Sequence, residues 1–257
     1  MTRRLAALAQ LVLLTLTTAP APVLAEGPEV AFRGEGYLGY HTVEFLFLDE
    51  DAFQGGGAGS VSVAGESLYL QLDVGGDAID YDNADADGFF AGGHAGWRDA
   101  ELGSASVVGQ FQLLDPGDAD IDTWRAGAEF EAYLGPVTLG LEGGYSDLFD
   151  DAYVLGQGRF YVTDDARLDL RVGAAAPADS DPLIVVSAGG EIMVVPHAAF
   201  FARVESSQID DFDFEETSVV AGARIYFGGP DGLSLQGHDR GFFQRACLGL
   251  NFVFRVC

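Results

Sequence analysis

Apolar and polar residues alternate with a period of two along most of the chain. Leu68, Leu70, Leu72 and Val74 fall on one face, with Tyr69, Gln71 and Asp73 on the other. Farther on, Trp124, Ala126, Ala128, Phe130 and Ala132 oppose Arg125, Gly127, Glu129, Glu131 and Tyr133. Leu168, Leu170 and Val172 likewise oppose Arg167, Asp169 and Arg171. Successive side chains of a β-strand point to opposite faces, so this pattern predicts strands, and helical spacing does not compete with it. About twelve such segments run from Glu35 to Gly228.

The connections between them alternate in kind. Val63–Ser67, Arg98–Gly103, Leu134–Val137, Val162–Arg167 and Val195–Ala198 are short. Leu48–Gly55, Gly75–Gly88, Leu114–Thr123, Ser146–Asp151, Ala176–Pro182 and Gln208–Thr217 are longer and hold 22 of the 40 acidic residues, against 5 in the short set. Tight turns at one end and long polar loops at the other are the layout of a transmembrane β-barrel. A soluble sandwich would turn the apolar face inward, whereas a membrane barrel turns it toward lipid. Strands of about nine to eleven residues suit a tilted bilayer span. Trp97, Trp124, Tyr133, Tyr145, Phe160 and Tyr161 stand near segment ends, where an interfacial girdle would be. The expected fold is therefore all-β: a single antiparallel up-and-down transmembrane β-barrel of about 12 strands. An even strand count with both termini in the periplasm gives short periplasmic turns and long acidic extracellular loops.

The N-terminus reads as a secretory signal. Arg3 and Arg4 precede an apolar run, Leu5–Thr18, and Val23-Leu24-Ala25 supplies the small-residue cleavage pattern. The expected organisation is a cleaved signal peptide (1–25), the barrel (26–228) and a C-terminal periplasmic tail (229–257). The implied location is the outer membrane of a Gram-negative bacterium. No later run of eighteen apolar residues predicts a spanning helix. Formal net charge is −27, and all 13 basic residues are arginine. Nucleic acid is excluded as a partner, because phosphate binding needs a basic footprint. Outer-membrane lipid, lipopolysaccharide and the barrel assembly machinery are the expected partners, with divalent cations bridging acidic loops to lipid. Oligomeric state is not legible.

With the apolar face outward, the polar face lines the lumen. It carries Gln71, Asp73, His94, Gln110, Gln112, Arg125, Glu129, Glu131, Glu142, Gln157, Arg159, Arg167, Asp169, Arg171, Glu191, Arg203, Glu205 and Arg224. Such a lining suits a small passive diffusion channel whose acidic mouth attracts cations. The alternative is a structural or surface-interaction barrel plugged by its own arginine–carboxylate pairs. No nucleophile elbow, phosphate loop or zinc spacing appears, so the expectation is a protein without enzymatic activity or cofactor.

Two local features carry possible chemistry. Asn83, Asp85 and Asp87, followed by Gly88, have the alternating oxygens of a calcium loop, but His94 stands where a bidentate Glu should close it. A weak divalent-cation site and a merely solvated acidic loop are both open. Cys247 and Cys257 are the only cysteines. In one straight strand they would lie ~33 Å apart, too far to bridge. An even strand count favours a tail that folds back, so a disulfide between Cys247 and Cys257 in the periplasm is expected.

Arg125–Tyr145 (RAGAEFEAYLGPVTLGLEGGY), Tyr161–Leu168 (YVTDDARL) and Gly222–Gly228 (GARIYFG) resemble an uncharacterised porin-like barrel family of Gram-negative, chiefly alphaproteobacterial, outer membranes. The resemblance implies location and architecture and carries no catalytic residues. Gly222…Ile225…Phe227 is also similar to the assembly signal in the final strand of such barrels. Gly249…Phe252…Phe254 repeats that spacing, so Leu248–Phe254 competes for the same role.

Overall fold

The computed structural model describes residues 29–45, 48–65, 68–81, 85–99, 101–115, 121–148, 150–176, 181–209, 214–228 and 234–242. The signal segment, Asn83, both cysteines and Leu248–Phe254 lie outside them.

Twelve strands follow one another around the wall: β1 (Glu29–Phe45), β2 (Leu48–Ala64), β3 (Tyr69–Tyr81), β4 (Asp85–Asp99), β5 (Gly103–Asp115), β6 (Ile121–Leu134), β7 (Val137–Ser146), β8 (Asp151–Thr163), β9 (Ala166–Ala175), β10 (Leu183–Val195), β11 (Ala198–Ile209) and β12 (Phe214–Gly228). Each pairs antiparallel with its sequence neighbours. β1 closes the ring on β12, in register from Ala31↔Gly228 to Phe45↔Phe214. The result is a single closed twelve-stranded barrel with no free sheet edge, as a lipid-facing sheet requires.

Strand pairing runs farther into the acidic segments than the sequence pattern suggests. The β1–β2 ladder continues to Phe45↔Leu48, and β3–β4 to Asp80↔Asp85. Strands β1 and β2 have 17 residues each, which is ~56 Å of extended chain. An apolar band is only ~25 Å tall. These strands therefore stand well clear of the band, and Glu44, Asp49, Glu50 and Asp51 sit on their paired extensions. At the opposite end the turns are tight. Gly135 takes φ +63° between β6 and β7, and Asp99 Oδ1 accepts the Glu101 and Leu102 amides at 2.9 Å to fix the β4–β5 turn.

The two faces sort as the period-two alternation requires. Leu38, Phe53, Leu70, Leu72, Leu141, Leu170 and Phe200 are exposed outward, while Gln71, Asp73, Glu129 and Arg159 are buried within. Among the girdle candidates, Trp97, Trp124, Tyr145 and Phe160 are exposed, and Trp124 lies 5.6 Å from Tyr145. Tyr133 and Tyr161 do not join them. They share parity with Glu131 and Arg159, so both are buried inside.

The interior changes character along its length. Toward the long-loop end, Val43, Tyr153, Ala175, Leu183, Val185, Ile209 and Phe214 form a buried apolar cluster. Toward the short-turn end the interior is charged and receives a nine-residue segment, 234–242, from beyond β12. It contains one helical turn, α1 (Leu235–Asp239), with Ser234 as N-cap accepting the Gly237 amide. By sequence alone this stretch is only part of a trailing tail.

Candidate functional site in the barrel lumen

Segment 234–242 touches most of the barrel's circumference, which it can do only from inside. The β8–β9 turn holds its start: Gln236 N donates to Asp164 O at 3.0 Å, and Leu235 N donates to Asp165 Oδ1 at 3.3 Å. Leu235 and Phe242 pack against Ala199 of β11 and Tyr226 of β12, with Ala31 and Met193 alongside. His238 stacks on Tyr226 at 4.8 Å. Arg33 of β1 lies over the Phe242 ring at 4.9 Å. Tyr69 of β3 donates to Gly241 O at 2.6 Å, and Tyr133 of β6 donates to Arg240 O at 3.4 Å. Arg240 donates back to Gly135 O at 2.6 Å and lies 4.6 Å over Tyr133.

Asp239 is the charged centre of this arrangement and is fully buried. Arg159 Nη1 donates to its Oδ2 at 2.6 Å, and the Tyr161 hydroxyl donates to the same oxygen. The Arg167 guanidinium pairs with Oδ1. Arg159 and the phenol thus hydrogen-bond one carboxylate oxygen, and Arg167 makes an ion pair with the other. Charge-assisted bonds of this kind are the strong ones. Both arginines have second partners. Arg159 also holds Glu131, and Arg167 reaches Glu191 at 2.9 Å and Asp169 at 3.8 Å. The chain of pairs continues through Glu191 to Arg224, and from Arg224 to Glu35 at 2.7 Å.

A second network fills the middle of the lumen. His94 of β4 lies 3.3 Å from Asp73 Oδ2 and 3.2 Å from Glu129 Oε2. Asp73 also accepts from Ser60 at 2.5 Å and from Gln71 at 3.0 Å. Arg125 donates to Gln110 at 2.7 Å and to Glu142 at 3.3 Å, and Tyr153 donates to Glu142 at 2.6 Å. Nearer the long-loop end, Gln54 donates to Asp77 at 2.6 Å, and His41 lies 3.1 Å from Glu216. A wide water-filled pore would leave such groups wet. Here Gln71, Glu129, Arg159 and Glu216 are all at most 2% exposed. A cavity of about 380 Å³ remains beside segment 234–242, lined by Ser62, Tyr69, Arg98 and Phe242 among others. Arg33, Ser60 and Gln71, one step deeper on the same strands, are buried.

The structure places all of the sequence-derived lumen residues on the interior face. Gln71, Asp73, His94, Arg125, Glu129, Glu131, Glu142, Arg159, Arg167, Glu191 and Glu205 are buried there; Asp169, Arg171, Arg203 and Arg224 are partly exposed. Arg33, Tyr69, Tyr133, Tyr161 and Tyr226 are buried there too, as their parity indicates, although none is among the lumen residues expected from the sequence. Nor is Asp239, which no periodicity ties to the barrel. The calcium-loop candidate has a different setting from a ligand loop. Asp85 and Asp87 belong to the regular strand β4, paired with Asp80 and Ala78. Among the described residues no cluster of three or more His, Cys, Asp or Glu is arranged to hold a metal ion.

No protein-family model matches the sequence. No curated protein matches it either. Solved structures do resemble its fold. The translocator domain of the autotransporter NalP from Neisseria meningitidis shares 12% identity at a TM-score of 0.54, covering 88% of this chain and 94% of that one. An outer-membrane channel from Pseudomonas putida F1 shares 11% identity at 0.52, over 82% of this chain and 100% of its own. The KdgM porin shares 10% at 0.51, over 74% and 99%. The fold is that of a porin-like outer-membrane β-barrel. At such identities the likeness extends to the fold alone.

Proposed function

We propose that the protein is an outer-membrane channel for small solutes that rests closed, in place of the permanently open pore suggested by its polar lining. The reading is carried by the clasp of Asp239 between Arg159 and Arg167. It holds across the lumen a segment that is no part of the wall. Buried ion pairs are weak sources of net stability, and their best-attested use is to specify a register or a switch. A clasp of this kind suits a stopper that leaves. In this reading the short turns face the periplasm, segment 234–242 stops the periplasmic mouth, and the acidic strand extensions face the cell exterior. The acid raises the local cation concentration outside, so an anion would approach from the periplasmic side. The alphaproteobacterial attribution also belongs to this proposal and rests on the strand-and-turn patterns alone.

A second reading, a permanently plugged structural barrel, is favoured by the apolar cluster of Val43, Leu183, Val185 and Phe214 inside the other end. Planar-bilayer recordings of the refolded full chain separate the two. The channel reading expects wild type to be mostly silent and Asp239→Ala to show frequent conductance steps. Silence from both proteins at every salt concentration would leave the plugged barrel.

A further inference from the structure

We infer that Arg159, Arg167 and Tyr161 form a binding site for a carboxylate solute, and that Asp239 occupies it as the chain's own ligand. The inference rests on the closed-channel reading and names the class of solute that opens it.

Three wall groups converge on one carboxylate. Arg159 and Tyr161 lie two residues apart on β8, and therefore on one face. Arg167 comes from the adjacent β9, where Tyr161↔Arg167 and Arg159↔Asp169 are register partners. All three side chains are buried, and the strand register fixes where each leaves the wall. Arg159 is bonded to one oxygen of Asp239 and Arg167 is paired with the other, while the phenol adds a donor. That is the recognition pattern of a carboxylate, and Asp239 contributes to it only its carboxylate. A free carboxylate reaching the same spot would meet the same donors.

The site faces the short-turn end. Tyr161 is two residues from the end of β8, and Arg167 is the second residue of β9. Deeper in the lumen Glu129, Glu142 and Asp73 are buried in a polar network with His94 and Arg125. A carboxylate solute therefore enters and leaves by the mouth that segment 234–242 covers. Solute and segment compete for the same donors, so binding of one releases the other. Because Glu131 and Glu191 share these guanidiniums, the hold on a free carboxylate is weak. A tethered one has an effective concentration on the order of millimolar, so displacement is expected in the millimolar range.

Succinate and its uncharged diamide are the probes, applied to refolded full-length protein in detergent. Chymotryptic cleavage after Phe242, buried while the segment is docked, reports release. Succinate should raise cleavage of wild type and the diamide should not. Asp239→Ala, a change in the tail that leaves the wall intact, should be cleaved rapidly without succinate and bind succinate about tenfold more tightly than wild type by calorimetry. Adding Arg159→Gln to that variant should abolish the binding. Equal effects of succinate and diamide, or no tightening in Asp239→Ala, would overturn the inference. The channel reading fails separately. Conductance in Asp239→Ala without succinate binding keeps the channel and sinks the carboxylate site, whereas binding without conductance does the reverse.

Discussion

His94 Nδ1 lies 3.2 Å from Glu129 Oε2, and its other ring nitrogen, Nε2, meets Asp73 Oδ2 at 3.3 Å. One imidazole thus joins β3 and β4 to β6 by standing between two buried carboxylates. Replacing it by Gln removes the ring that stands between the two carboxyl groups and leaves them facing each other away from water. Breaking a buried pair in this way costs about 3–5 kcal/mol. His94→Gln should lower the urea midpoint of heat-modifiable gel migration, and adding Glu129→Gln should restore part of the loss. Equal midpoints for His94→Gln and wild type would refute the bridging role.

Docking of segment 234–242 should weaken in acid. Burial pushes the His238 imidazole down to about 4 from an ordinary value of 6.5, with His197 adding a smaller push. The docked state therefore prefers neutral His238. Its contribution is complete above pH ~6.5 and is lost as pH falls toward about 4. Amide exchange of residues 235–242, corrected for intrinsic rates, should accelerate between pH 7 and pH 4.5. Asp164 and Asp165 cap the same segment, so His238→Phe serves as control. It should remove most of that acceleration while keeping the stacking on Tyr226.

Leu141 tests which face meets lipid. It is 53% exposed near the middle of β7, whereas Glu142 beside it is buried. Arginine on the lipid face near the bilayer midplane costs about 2–4 kcal/mol. Leu141→Arg should reduce folding into lipid vesicles accordingly, while Leu141→Phe should be nearly neutral. A soluble barrel would tolerate both.

Gly135 isolates a backbone effect. Its φ of +63° is left-handed, and an added Cβ would meet nothing within 4 Å. Space is not the obstacle, so any cost comes from conformation, about 1–2 kcal/mol for an ordinary residue and less for Asn. Gly135→Val should destabilise the β6–β7 turn and loosen Arg240, whose guanidinium donates to Gly135 O. Gly135→Asn should be close to wild type. Equilibrium unfolding of the two variants makes the comparison.

The legibility of the fold in the sequence followed from strand geometry. Side chains alternate strictly across a strand, so Leu70 and Gln71 declare their faces without knowledge of any partner. The tight turns at Gly135–Pro136 and Asp164–Asp165 carry residues that suit turns. Strand ends were less legible, because acidic residues at 48–51 and 77–80 read as loop although the ladder runs on through them. Tyr133 and Tyr161 show how two sequence signals compete. As aromatics near strand ends they suggest a girdle, and by parity they belong inside; the pleat decides.

What the sequence by itself determined was the barrel: its strands, its two faces, and an interior of arginines and carboxylates. What only the tertiary structure decided was whether that interior is empty. Asp239 sits 80 residues from Arg159 in the chain and belongs to a segment with no repeating pattern to place it. Its position depends on the curvature that brings β8 and β9 within reach of a segment that follows β12, and on the space inside the ring. Periodicity records which way each side chain points. The partner it meets across the lumen is set by closure of the ring.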